Sequence, residues 1–92
     1  MLKKLLTLVA TLLATAVFAA VDVNTATVAE LDGIKGIGPG LSGRILDERK
    51  TAPFKDWSDL IGRVSGLGPK SAVNFSNQGL TVNGKKYSAS KN

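Results

Sequence analysis

Cysteine and histidine are both absent from this chain of 92 residues. That removes a disulfide framework, a thiol nucleophile, the commonest general base and the usual ligands of structural zinc. It also excludes a lipid attached to cysteine at a processing site. Aromatic residues make up 5% of the chain, too few for the several stacked rings on one face that single-stranded nucleic acid requires. Trp57 and Phe54 are accordingly expected in the core, where a small chain needs large apolar anchors. Acidic residues are also scarce, 7 against 12 basic ones. Those present, Asp47-Glu48 and Asp56 with Asp59, read as helix caps and solvated surface. No catalytic residue, metal site, cofactor or small-molecule substrate is expected.

What is present begins with a leader. Lys3 and Lys4 precede an uncharged, largely apolar run over residues 5–17, and Val17-Phe18-Ala19 offers the small residues a secretory processing site needs. The reading is a signal peptide over 1–19, cleaved after Ala19, with Ala14-Thr15-Ala16 as a second site left open. The run is shorter than the roughly 20 apolar residues of a spanning helix, which disfavours an uncleaved anchor. The leader also inflates the 43% hydrophobic content. The remainder makes one small domain with a modest core. Two of the 12 basic residues, Lys3 and Lys4, leave with the leader, so a mild bias toward polyanions remains.

Within this domain, Val21 to Asn24 reads as an extended lead-in, and Thr27-Val28-Ala29-Glu30 as a capping box. A short helix comes next and stops at Gly33, with Ile34 and Ile37 as apolar anchors. Pro39 has a preset φ and no amide hydrogen, which suits the first turn of a second helix running to about Lys50. That helix buries Leu41, Ile45 and Leu46. Asp56 caps a third helix carrying Trp57, Leu60 and Ile61. After Val64-Ser65-Gly66-Leu67-Gly68-Pro69 a fourth helix runs from about Lys70 to Gln78, with Gly79 as its stop. Leu80-Thr81-Val82 reads as a short extended piece.

These elements form an internal repeat. Glu30-Leu31 and Gly36-Ile37-Gly38-Pro39 are echoed by Asp59-Leu60 and Gly66-Leu67-Gly68-Pro69, the two glycine signatures lying thirty positions apart. Two helix–glycine turn–helix units are too short to fold separately and should share one core. The expected fold is all-α, a four- to five-helix domain over 20–79, with a flexible basic tail over 80–92.

A Gly-apolar-Gly-Pro turn between two helices has a physical use. The glycines permit positive φ and allow another backbone to approach closely, while Ile37 or Leu67 ties the turn to the core. The second helix of each pair presents unpaired amides and the positive end of its dipole, a place for an anion. One such turn is more often an ordinary connector than a site, but two matched copies in a basic chain favour phosphate. The candidate DNA-binding residues are Lys35, Gly36, Ile37, Gly38 and Gly40 at the first turn, with Arg63, Gly66, Leu67, Gly68, Lys70 and Ser71 at the second.

These residues resemble the helix-hairpin-helix motif, and the chain resembles the ComEA family of competence DNA-binding proteins. The likeness runs from Val21-Asp22-Val23-Asn24-Thr25-Ala26 through both glycine turns, Ala52-Pro53-Phe54-Lys55 and Asp59-Leu60, to Lys70. It implies a periplasmic protein that binds double-stranded DNA without sequence preference during natural transformation, handing it to inner-membrane uptake components. It also allows a monovalent cation on the hairpin carbonyls, which the residues themselves do not specify. The first hairpin departs from the family pattern, because Gly40 and Leu41 follow Pro39 and Gly43 interrupts the helix. The second hairpin is therefore expected to carry more of the binding. A competing reading is a structural protein of the export compartment that keeps the fold without touching nucleic acid, as in the similar extrinsic lumenal subunit of photosystem II. A repair nuclease or ligase module ranks last, since it fits neither the leader nor the lack of catalytic residues.

Overall fold

A computed structural model describes residues 20–88, so the expected signal peptide and its cleavage sites lie outside the described residues, as do residues 89–92. Four helices run in order, α1 (Val28–Asp32), α2 (Pro39–Thr51), α3 (Trp57–Arg63) and α4 (Pro69–Asn77). The mostly helical tandem arrangement expected from the repeat is what the chain adopts.

Each helix begins where its capping chemistry places it. Thr27 Oγ1 accepts from the Glu30 amide (3.1 Å) while Glu30 Oε1 accepts from the Thr27 amide (2.9 Å), the reciprocal box that starts α1. Asp56 Oδ1 accepts from the Asp59 amide at 2.8 Å and starts α3. Helices α2 and α4 begin instead with glycine at the N-cap and proline directly after, with no side-chain cap. The two short capped helices are thus finished internally, and the two longer ones are left open at their N-termini.

The halves share a single core. Leu31, Ile34 and Ile37 from the first unit join Leu60, Val64 and Leu67 from the second, with Ile45 and Phe75 from the long helices. Phe54 is fully buried and Trp57 is 5% exposed, so both aromatics serve the interior. Leu41 and Leu46 pack only partly against this core. Gly43 faces open space, since a Cβ built there meets nothing within 4 Å. Gly43→Ala should therefore remove only the entropic cost of glycine in mid-helix, raising stability by about 1 kcal/mol and the melting temperature by about 4–8 °C. A thermal melt followed by circular dichroism checks this, and a lower melting temperature would mean that the α2 surface is covered.

The folded unit ends later than residue 79. Strand β1 (Val21–Asp22) pairs in parallel with β2 (Leu80–Thr81), Val21 opposite Leu80 and Asp22 opposite Thr81. The Val21 amide donates to Gly79 O and the Val23 amide to Thr81 O, both at 2.9 Å. Leu80 and Val82 are buried, which is why they cannot belong to a free tail. Beyond them the chain turns at Asn83-Gly84, both with positive φ, and Val82 bridges back to Lys85. Trp57 Nε1 donates to Lys85 O at 2.8 Å, and the Tyr87 ring meets Trp57 edge-on at 5.4 Å. Residues 80–87 are thus a clasp over α3 and α4, not the flexible segment expected from their lysines. Polar side chains fasten it. Asp22 Oδ2 accepts from Thr81 Oγ1 (3.0 Å) and the Gly84 amide (2.8 Å), while Asn24 exchanges hydrogen bonds with both backbone groups of Phe54.

Candidate nucleic-acid interface

The two glycines of each turn do different jobs. Gly36 and Gly66 have φ of 101° and 93°, the left-handed region that side chains rarely tolerate. They are also crowded. A Cβ on Gly36 would stand 2.9 Å from Phe75 Cε1, and one on Gly66 would stand 3.2 Å from Arg44 Nη1. Gly38 and Gly68 are extended, with φ of −95° and −115°, so positive φ is not their purpose. A Cβ on either meets nothing within 4 Å. Their bareness leaves the start of α2 and α4 open to an approaching group.

The two turns share one bonding pattern. Ile37 donates its amide to Ile34 O, and Leu67 to Val64 O. Both residues are buried, at 4% and 3% exposure, and anchor the turns from beneath. The first helical bonds are Ser42 to Gly38 O and Ala72 to Gly68 O, each 2.9 Å. The amides of Gly40 and Leu41, and of Lys70 and Ser71, therefore precede the first intrahelical donor. They point out of the helix ends with no side chain capping them. Partial positive charge from the helix dipole adds to each end.

Each hairpin leans on the long helix of the other unit. The first turn packs against α4 through Asn74 and Phe75, the second against α2 through Leu41 and Arg44. Arg44 and Asn74 are counterparts in the thirty-residue repeat, so the contacts are reciprocal, as a pseudo-twofold requires. The carbonyls before the positive-φ glycines are held in the same crossed manner. Gln78 Nε2 donates to Lys35 O (2.9 Å) and Gln78 Oε1 accepts from the Lys35 amide (2.8 Å), while Arg44 Nη1 donates to Ser65 O (3.3 Å).

Of the cations expected beside the turns, Lys35 and Lys70 are exposed. Arg63 is not available, and its place in the candidate set is corrected. Its Nε donates to Glu48 Oε1 (3.4 Å), Nη1 to Pro53 O (3.3 Å) and Asp59 Oδ2 (3.0 Å), and Nη2 to Glu48 O (2.6 Å) and Ala52 O (2.8 Å). All five donors are spent, and the guanidinium lies 4.4 Å from the centre of the Phe54 ring. Arg63 thus tethers the end of α2 to α3. Asp59 shares in this knot: the Lys55 amide, helped by Arg63, holds its carboxyl below the ordinary carboxylate value. Arg44 stands in for Arg63 at the hairpin. It lies more than a turn inside α2, and only the crossed packing brings it to the second unit, so proximity in sequence could not reveal it. The repeat offered a hint, because its counterpart Asn74 stands beside the first turn.

The matched turns, open helix ends and flanking cations agree with two comparisons. A family model for the helix-hairpin-helix motif matches residues 17–77. ComE operon protein 1 of Bacillus subtilis (strain 168) is 44% identical over 54 residues, covering 58% of this chain and 26% of that protein. The chain thus spans about a quarter of the length of this curated relative. No solved structure gives a significant match. Two hairpins, crossed over one core and both inside the matched region, are what the sequence encodes: the chain belongs to the helix-hairpin-helix family and is ComEA-like in its sequence.

Proposed function

We propose that this protein binds double-stranded DNA through its phosphate backbone, without reading sequence, as an exported receptor that retains incoming DNA during natural transformation. The observation that carries the reading is the pair of uncapped helix ends at Gly38 and Gly68, each bare of neighbouring atoms. Such ends are built for an anion, and two of them in fixed relation suit a repeating anion better than a single small one. The contacts offered are main-chain amides plus Lys35, Arg44, Lys70 and the Ser71 hydroxyl. Main-chain amides at helix ends suit phosphate oxygens better than base edges, which supports a reading of backbone, not bases. Placement in the periplasm, and delivery to inner-membrane uptake components, rest on the expected leader and on kinship to a protein of the ComE operon.

Binding of this kind releases counterions. If each hairpin engages two or three phosphates, affinity for random duplex DNA should fall with salt with a log–log slope of about −4 to −5. A gel-shift series between low and moderate salt measures it. Lys86→Ala should leave affinity nearly unchanged, since Lys86 belongs to the clasp and not to a hairpin. An affinity that ignores salt would dismiss the phosphate grip. A chain that binds no duplex even in dilute buffer would instead be the structural module of the competing reading.

A further inference from the structure

We propose that the groove between the start of α3 and the C-terminal clasp docks an extended acidic peptide segment of a partner protein, independently of the hairpins. The groove encloses about 560 Å³, with Trp57 and Val82 among its walls and Lys55, Lys85 and Lys86 around it. One carboxylate, Asp56, also lines it, and that carboxylate already accepts the Asp59 amide. Among the described residues the ion pairs are both made by Arg63, so none of the three ammonium groups is held in an ion pair, and Lys55 feels only a longer-range attraction to Asp59. Three cations gathered from two separate segments around one concavity attract an anion of matching spread.

The shape decides which anion. A duplex is convex and wider than this groove, whereas one extended strand of peptide fits a cleft of this volume, as acidic motifs do in basic grooves. A single-stranded nucleic acid would need a ring to stack on. Trp57 offers none, being 5% exposed and covered edge-on by Tyr87. The groove is also remote from the hairpins. It lies at the N-terminal end of α3, whose far end leads into the second turn about 10 Å away along the axis. It lies past the C-terminal end of α2, about 20 Å along that helix from Gly38. DNA on the hairpins and a peptide in the groove therefore do not compete for the same atoms. The proposal holds whether or not the hairpins bind DNA.

Trp57 is the one tryptophan in the chain, so its emission reports on this groove directly. The chain is titrated at low salt with hexaglutamate, hexalysine and a random short duplex, none of which contains tryptophan. Hexaglutamate should give a saturable change in Trp57 emission and hexalysine none. The apparent affinity should drop at least about tenfold in a Lys85→Glu, Lys86→Glu variant, and comparably in Lys55→Glu, which alters a different segment. All three lysines are exposed, so the fold is expected to survive, and a thermal melt verifies that. Substituting both hairpin N-cap glycines should leave the hexaglutamate response intact. No saturable response to hexaglutamate, an equal response to hexalysine, or an unchanged response in well-folded lysine variants would overturn the proposal. So would a duplex-induced change that persists after the hairpins are blocked, for then the groove is a second phosphate site.

Discussion

Replacing both Gly38 and Gly68 by aspartate should leave the melting temperature unchanged or raise it, while affinity for random duplex DNA falls by at least about a hundredfold. Both glycines occupy N-caps with extended backbone, and neither has an atom within 4 Å of a built Cβ. Aspartate is among the best N-cap residues, better than glycine by a few tenths of a kcal/mol. Its charge also complements the positive end of the helix dipole. The new carboxylate would accept from the same amides that the proposed phosphates use, and would repel the phosphates as well. Charge-assisted hydrogen bonds contribute about 1.5–3 kcal/mol each. Losing one at each hairpin removes about 3–6 kcal/mol, a factor of a hundred or more in the dissociation constant. Circular dichroism melts and gel shifts on one preparation separate the two effects. A variant that melts and binds like the parent would take the helix ends out of the interface. Substituting Gly36 or Gly66 would be a poorer experiment, since positive φ and a crowded Cβ damage the turn itself.

Arg63→Leu is expected to do the reverse, destabilising the fold by about 2–3 kcal/mol and lowering the melting temperature by about 10–20 °C. The guanidinium serves three carbonyls, those of Glu48, Ala52 and Pro53, and two carboxylates, Glu48 and Asp59. With the side chain 22% exposed, water partly compensates the orphaned acceptors, and the cost stays below that of a wholly buried pair. The salt slope of DNA binding should not move, because Arg63 is turned away from the hairpin. Arg44→Ala is the natural contrast. It should reduce the magnitude of that slope by about 1 with little change in melting temperature. If Arg63→Leu flattened the slope and Arg44→Ala did not, the assignment of cations to the second hairpin would be inverted.

These two arginines mark the boundary of what the sequence makes legible. Caps, proline starts and the alternation of apolar residues act within a few positions, so local chemistry alone places Thr27, Asp56, Pro39 and Pro69. The glycine turns are legible because their spacing recurs, and a recurring oddity is hard to ascribe to chance. Arg63 ends the third helix and precedes the second turn, which in sequence looks like a cation beside a site. Three of its five hydrogen bonds go to main-chain carbonyls of residues 48, 52 and 53, and no local pattern announces those. The lysines after residue 80 mislead in the same way. Lys85 contributes its backbone carbonyl to Trp57, a contact independent of side-chain type and so invisible to composition. Gly36 and Gly38 look alike in the sequence. Only the dihedral angles separate a residue that must bend from one that must be bare.

The parallel pairing of Val21–Asp22 with Leu80–Thr81 has a last consequence for how this small domain comes apart. Its first and last strands are stitched to one another, and the seam also carries Asn24, Phe54 and Asn83. Fraying from one end therefore cannot proceed without releasing the other, and neither helical pair has a boundary at which it could peel away alone.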